Sequence, residues 1–462
     1  MRELRYCPRL VLAVGFLLAS VTARADLYVA AKAFEDKDFA HAFELYRELA
    51  ELGQPEAQEH LAVMYVSGEG VPRDNILGYA WAKIALEQGP RAAAQGIVDQ
   101  LETHVTDKAR ARAAALQAQF GKDALQESLL PVESTPTDVL PTPKCRMKTP
   151  VNPNDYYPRD TIRKEISGHV LVSTMIWSDG RAHDPRVEYS LPAQVFESAG
   201  RAVGLDSAYF PHKDNGVATP CTIRFRVKFG IQGSDALGAL KDNVDAIRKH
   251  AETGDPRAQL LYARTLEVLP HGAGSDKSIR WFLKAAQAGV PGAQFKVAQA
   301  LRGGYAVQKD EAKGLIWLNK SADAGNADAQ VVLANYLLRD AKGDAAHTRA
   351  AALLDRASAE SPEGRFYLAA LLASHPDTAL RNPERVLDKA KQWLAPFENN
   401  PIAYEIWAAA QAHLGNFVEA EKMQAKAVKM AGNLDWNTAP QKERLAAYQA
   451  GKPWTGDLFA YY

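Results

Sequence analysis

Gly53-Gln-Pro-Glu-Ala-Gln58 decides the fold, because its register, Gly-x-x-x-Ala-Gln, returns at Gly254/Ala258/Gln259, Gly289/Ala293/Gln294 and Gly325/Ala329/Gln330. Trp81, Trp281 and Trp317 stand eight residues before Gly89, Gly289 and Gly325. The intervals Gly53 to Gly89, Gly254 to Gly289 and Gly289 to Gly325 are 36, 35 and 36 residues, the period of stacked two-helix units. A single unit exposes a hydrophobic face. Small alanines where helices cross, with a Trp or Leu knob, must therefore recur at fixed distance to bury that face on the next unit. Leu353 continues the knob 36 residues after Trp317. The pattern predicts a mainly α chain built of α-solenoid blocks.

Within Gln54–Gly89 the residues Ala57, Leu61, Ala62, Tyr65, Gly68, Gly70, Val71, Asp74, Ala80, Trp81 and Ala85 closely resemble the Sel-one-like (Sel1) repeat, a relative of the tetratricopeptide repeat. Segments 254–289 and 289–325 are similar to it as well. Beyond 325 the inter-helix glycines are lost, and Pro401–Gly432 resembles a tetratricopeptide unit. The resemblance implies two blocks, 26–130 and 233–434, with a tail at 435–462.

The N-terminus carries a different signal. Arg2, Arg5 and Arg9 precede an apolar run, Leu10–Val21, and Ala23-Arg-Ala25 follows as a small-x-small motif. This reads as a secretory signal peptide, residues 1–25, cleaved before Asp26. The run of 12 residues is shorter than the roughly 20 of a bilayer-spanning helix, so no stable membrane insertion is expected after cleavage. A retained anchor is the competing reading, since Arg24 is not ideal inside the motif. Loss of Arg2, Arg5, Arg9, Arg24 and Glu3 turns 55 basic and 55 acidic residues into 51 and 54, a net charge of −3. That balance favours neither nucleic acid nor an anionic membrane.

Cys7 leaves with the signal peptide, and Cys145 and Cys221 then meet an oxidising compartment, so a disulfide between them is expected. No CxxC and no histidine at ligand spacing accompanies either cysteine, which argues against a metal site. No cofactor is implied.

Between the blocks the periodicity changes. Residues 131–153 are proline-rich (Pro131, Pro136, Pro141, Pro143, Pro150, Pro153) and read as a linker. An insert at 154–232 follows. His169–Trp177 alternates as a strand, Ser178-Asp-Gly180 makes a turn, Ala182–Tyr189 returns, Pro192–Val203 reads as a helix, and Cys221–Phe229 alternates as a third strand. A small α+β domain with a three-stranded antiparallel sheet is the expectation.

Tyr157-Pro158, Gly168, Asp179-Gly180, Ser190, Phe196, Ala202, Phe210-Pro211, Gly216, Ile223, Phe225, Val227 and Phe229 resemble, in order and spacing, the C-terminal domain of TonB, the periplasmic part of an energy transducer. The resemblance implies a sheet packed on helices and a periplasmic location in a Gram-negative cell, in agreement with the export signal. The chain departs from a working transducer in two places. Such proteins keep an N-terminal membrane helix coupled to motor proteins, and they carry a long proline-rich spacer. Here the apolar segment reads as cleavable, and a 20-residue linker reaches only about 60 Å when fully extended.

In Cys221–Phe229, Ile223, Phe225, Val227 and Phe229 are expected to face the core, with Thr222, Arg224, Arg226 and Lys228 facing solvent. In the TonB family this strand is where a partner peptide adds by strand pairing. The resemblance therefore implies a peptide-binding edge at Thr222, Arg224, Arg226 and Lys228, with the basic side chains favouring acidic neighbours. The bland alternative is a solvated face, or charges that protect an edge from aggregation.

Tyr65, Tyr79, Trp81, Trp281, Trp317 and Trp393 read as packing residues because they fall in helical register, rather than as a sugar-stacking surface. Gly68-x-Gly70 lacks a preceding strand and reads as an inter-helix turn, not a nucleotide loop. His183 and Asp184 have no nucleophile or second carboxylate at a recognisable spacing. With no GxSxG, HExxH, SxxK or P-loop motif, the chain reads as a non-enzyme. The leading expectation is an exported periplasmic scaffold that binds protein or peptide partners, envelope proteins among them. A TonB-type transducer or accessory of outer-membrane transport is the alternative, and a cell-wall enzyme or sugar-binding protein is a third reading.

Overall fold

The structure is a computed structural model that describes residues 26–134, 145–164, 166–176, 180–210, 212–214, 217–219, 221–230, 238–269, 277–304, 306–339, 343–434 and 436–459. The proposed signal segment, and the proline stretch from 135 to 144, lie outside these residues.

The N-terminal block pairs α1 (Leu27–Glu35) with α2 (Phe39–Glu51) and α3 (Pro55–Ser67) with α4 (Asn75–Leu86). It continues through α5 (Ala92–Leu101), α6 (Asp107–Phe120) and α7 (Lys122–Ser128). The α+β domain contributes β1 (Arg146–Thr149), α8 (Arg159–Arg163), β2 (Gly168–Ile176), β3 (Ala182–Leu191), α9 (Glu197–Asp206), β4 (Ala208–Phe210), β5 (His212–Asp214), β6 (Val217–Thr219) and β7 (Cys221–Phe229). After α10 (Gly238–Glu252), helix pairs follow in series: α11 (Pro256–Val268) with α12 (Ser278–Gln287), α13 (Pro291–Gly303) with α14 (Glu311–Asp323), and α15 (Ala327–Arg339) with α16 (Asp344–Ala357). The series goes on with α17 (Pro362–Ser374) and α18 (Pro383–Trp393), then α19 (Pro401–His413) and α20 (Phe417–Asn433), and is closed by α21 (Ala439–Gln449).

The recurring hexapeptide is now explicable. Gly53, Gly254, Gly289 and Gly325 adopt positive φ (79°, 97°, 89° and 83°), a conformation that costs glycine nothing and lets the chain reverse between units. The buried Gln of the motif then reaches back across the turn. Gln58, Gln294 and Gln330 each donate Nε2–H to a backbone carbonyl, of Ala50 (3.1 Å), Ala286 (3.2 Å) and Ala322 (3.0 Å), three residues before the glycine. That terminal carbonyl, which also accepts the N–H of the motif glycine, thereby gains a second donor at a helix end buried between units. The motif alanines, Ala57, Ala293 and Ala329, are fully buried where the helices meet. Gly70 has φ +72°, and a Cβ there would collide with the Phe39 carbonyl, so the turn between α3 and α4 is pressed onto the start of α2. Trp81, Trp281, Trp317 and Trp393, with Tyr79, are buried as packing knobs. Tyr65 is half-buried, edge-on to Phe43.

Helix pairing persists after Gly325 although the inter-helix glycines fade, because Leu353, Leu354, Phe366 and Leu368 keep the apolar seam continuous. The segment read as a tail also folds. In α21, Arg444 and Tyr448 are buried, with the Arg444 guanidinium paired to the buried Glu405 carboxylate on α19. Leu458 and Phe459 return to the core, where the Phe459 ring meets Phe366 and Tyr367.

The two blocks do not stand apart: one hydrophobic core runs through both. Leu27 N–H donates to Ala288 O (3.1 Å), and Gln287 Nε2 donates to Leu52 O (3.0 Å). Trp317 Nε1 donates to Leu129 O (3.0 Å), and the buried Lys313 ammonium donates to the carbonyls of Gln126 (2.8 Å) and Leu130 (2.9 Å) at the end of α7. The start of the expected linker is likewise held. Ser134 N–H donates to Ala306 O and Gln308 N–H to Val132 O, while Glu133 is forked by Arg280 and approached by Lys277. Arg280 foremost, then Lys277, outweigh the burial cost and hold the Glu133 carboxyl down at about 2.

In the α+β domain the sheet order is β3-β2-β7, antiparallel throughout, with smaller ladders β1-β4 and β5-β6. Part of the expected linker is held to this domain, since β1 pairs with β4 and Cys145 is bonded to Cys221 with a Cα separation of 6.0 Å. The helix expected at 192–203 begins at Glu197 instead. Ser190 donates to Pro192 O (2.9 Å), Gln194 takes φ +62°, and the Glu197 carboxylate accepts the Gln194 N–H, so Pro192–Phe196 is a turn. The inner core joins Val170, Val172, Val227 and Phe229 to Phe196, Ala199 and Val203, with Phe196 stacked on Phe229 at 4.8 Å.

Candidate interaction surfaces

The alternation read in β7 is present. Ile223, Val227 and Phe229 are buried toward α9 and the disulfide, and Phe225 is half-buried. The register against β2 is unbroken from Gly168↔Phe229 to Ile176↔Cys221. The outer edge of β7 pairs with no strand among the described residues.

The other sheet face differs from the sequence expectation. It is not a solvated row of cations, because helices of the C-terminal repeats cover much of it. Leu171 and His169 on the central strand are buried there, at 4% and 3% exposure. Arg224 forks the Glu188 carboxylate of β3 through Nε (2.8 Å) and Nη2 (2.6 Å), and reaches Glu267 of α11 at 3.4 Å. Lys296 of α13 lies 2.9 Å from Glu188 and 3.3 Å from Glu267. Arg226 Nε donates to the Glu267 carbonyl (2.6 Å). Arg226 keeps much of its surface exposed while making that bond, and Thr222 and Lys228 are exposed as well. Two of the four proposed site residues thus hold the domain to the repeats, and two stay open beside the outer edge. The acidic neighbours expected for the basic side chains are the chain's own.

A bulge makes this possible. Leu171 pairs with Tyr189 but Val172 with Val187, so Glu188 is the extra residue on β3 and is re-aimed into the cation pair. Burial alone would raise the Glu188 carboxyl, yet Lys296 and Arg224 outweigh it and hold it down at about 2. The pKa of His169, cross-strand from Lys228, is lowered too, by burial first and then by Lys228 and Arg226, which favours its neutral form. Further contacts continue along β3. Tyr189 Oη lies 3.0 Å from Thr265 Oγ1 of α11, Arg186 pairs with Glu363 in the first turn of α17, and Leu191 packs with Leu269, Val244 and Ile247.

None of these docking partners was legible from local pattern. Glu267, Lys296 and Glu363 sit in helices of unremarkable composition, far along the chain from β3, and only the strong charge of β7 hinted that acidic groups should be near. The side chains of His183 and Asp184, with residues 177–179, 211, 215–216 and 220, lie outside the described ones. Among the described residues no group of three or more His, Cys, Asp or Glu side chains is placed to hold a metal, and no helix is long and apolar enough to cross a membrane.

Fold and contacts define a class: a helical-repeat protein with a small α+β domain seated on its repeats. The family comparisons divide the chain in the same way. Residues 153–231 match the model of the Gram-negative bacterial TonB protein C-terminal domain, and 33–54, 55–90, 275–290 and 291–326 match the Sel1 repeat. No curated protein matches the chain. Among solved structures, a protective antigen of uropathogenic Escherichia coli strains with an SLR fold is 18% identical, with 92% of this chain and 72% of that one covered at a TM-score of 0.33. A Sel1 repeat protein from Oxalobacter formigenes is 17% identical over 46% of this chain and 97% of its own, also at 0.33. Yeast Tom70 is 14% identical over 94% and 81%, at 0.25. The repeat architecture is that of a protein-interaction scaffold.

Proposed function

We propose that the protein is an exported periplasmic scaffold that works by binding protein segments rather than by catalysis. The carrying observation is the seating of the α+β domain. Its sheet is clamped to the repeats through β3 and one face of β7, while the outer edge of β7 has no strand partner among the described residues and is flanked by the exposed Thr222 and Lys228. A rigidly held edge offers backbone donors and acceptors to an extended peptide at low ordering cost.

Photo-crosslinking side chains at Thr222 and Lys228, with a control at Arg201 on α9, test this in cells. The expected result is a discrete protein adduct at the two β7 positions and none at the control. Equal labelling at all three, or none at β7, removes the sheet edge from the reading. The energy-transducer alternative is separated by N-terminal sequencing: a chain starting at Asp26 and released without detergent supports the scaffold, and one starting at Met1 and needing detergent supports the transducer.

A further inference from the structure

The first helices of three C-terminal units, α11, α13 and α17, meet one strand of the α+β domain, and they do so in chain order. Along β3, Arg186 reaches Glu363 on α17, Glu188 reaches Lys296 on α13, Tyr189 reaches Thr265 on α11, and Leu191 packs on Leu269 just beyond α11 and on Val244 and Ile247 of α10. The strand therefore crosses the stack from the α17 unit to the α11 unit, meeting one polar or apolar group on each of those three, with the α15 unit supplying none of these contacts. This is how a solenoid surface receives an extended ligand, one site per repeat. The contacts are those of recognition, since a guanidinium, a carboxylate, a phenol and an aliphatic side chain each find a complementary group, and the cation beside the carboxylate is itself only 16% exposed.

We propose that the first-helix face of the C-terminal repeats is a groove for an extended protein segment of the pattern Arg-x-Glu-Tyr-x-Leu, and that β3 is its resident occupant. An outside segment of that chemistry enters only when the α+β domain lifts away, so the domain is an intramolecular inhibitor of the repeats. This rests on the scaffold reading and adds its regulation: the face of the repeats is closed at rest, and the free surface is the β7 edge. Because two of these four contacts are ion pairs, Arg186 with Glu363 and Glu188 with Lys296, the dock weakens with ionic strength, as the screening length falls from about 10 Å at 0.1 M to about 3 Å at 1 M salt.

The test uses the full oxidised chain and a fluorescent peptide of residues 182–191. Arg186→Glu with Glu188→Lys alters the occupant and leaves Glu363, Lys296 and Thr265 on the repeats untouched. Hydrogen exchange reports docking through α11 and α13, and reports integrity of the domain through the β2 and α9 amides. The expected outcome is no saturable peptide binding to the wild type, lifting of the domain in the variant with β2 and α9 still protected, and saturable binding to that variant. Adding Lys296→Gln, which cannot form an ion pair with the lysine placed at 188, should weaken the peptide at least about tenfold, the loss of one charge-assisted contact. If the reversal unfolds the sheet, Arg186→Ala with Glu188→Gln takes its place. Peptide binding to the wild type as tight as to the variant, a lifted variant that ignores the peptide, or a domain that stays docked in both variants and in about 1 M salt, each overturns the inhibitory dock. A lifted but non-binding variant leaves the β7 crosslinks, and with them the scaffold reading, unaffected.

Discussion

Gln58, Gln294 and Gln330 show what a motif position is for. Glycine at the turn was predictable from its conformational freedom, but the glutamine five residues on was legible only as a recurrence. Its role as a clamp on the preceding helix end needs the three-dimensional turn. Gln294→Ala is therefore expected to destabilise the chain by about 1 kcal/mol, because the Ala286 carbonyl loses its side-chain donor and keeps only the Gly289 N–H, as read from denaturant unfolding midpoints. Glu188 carries the pH counterpart. Its carboxyl is held at about 2 in the folded chain against an ordinary 4.5. Depression of a folded-state pKa means stability fully present above about pH 4.5 and lost as pH falls from there toward 2. Unfolding midpoints of wild type and Glu188→Gln across pH 2–7 should converge at the acid end and separate above about pH 4.5. A constant gap would place the effect elsewhere than on the charge.

Among the elements, the strands were the most legible. A period of two in β2, β3 and β7 was written in β-branched and aromatic residues, and all three formed within two residues of the expected limits. Helix α9 was misplaced because the residues after Pro192 carry helical composition, whereas the local hydrogen bonds of Ser190 and Glu197 make a turn there first. Helix α21 was missed because its inward face presents Arg444 rather than an apolar stripe. That buried pair makes a clean prediction. Arg444→Met should cost about 3–5 kcal/mol by stranding the Glu405 carboxylate, while Arg444→Met with Glu405→Leu should recover most of the loss. Additive losses in the double variant would deny that the pair holds α21. The Cys145–Cys221 bond ties β1 to the start of β7. Its removal by Cys145→Ser with Cys221→Ser should cost on the order of 4 kcal/mol, given the 76-residue separation, measured on the purified chain.

At the scale of the molecule, repeat period and composition spoke of helical repeats and an inserted sheet, yet said nothing of how the parts sit together. Contacts between blocks use backbone carbonyls at helix ends and side chains such as Lys313 and Gln287, which have no period, and the docking of the sheet depends on single charges in distant helices. Both ends of the proline stretch are anchored, at 132–134 on the repeats and at 146–149 in β1. Limited proteolysis should therefore cut within 135–144 first, and leave 145–150 intact. The central claim, that the α+β domain is seated on the C-terminal repeats rather than tethered beside them, is tested most directly by a distance. Spin labels on Arg201→Cys in α9 and Lys391→Cys in α18, read by pulsed electron resonance with the native disulfide intact, should give one narrow distance population at low salt that broadens in about 1 M salt. A broad distribution at low salt would contradict the seated domain.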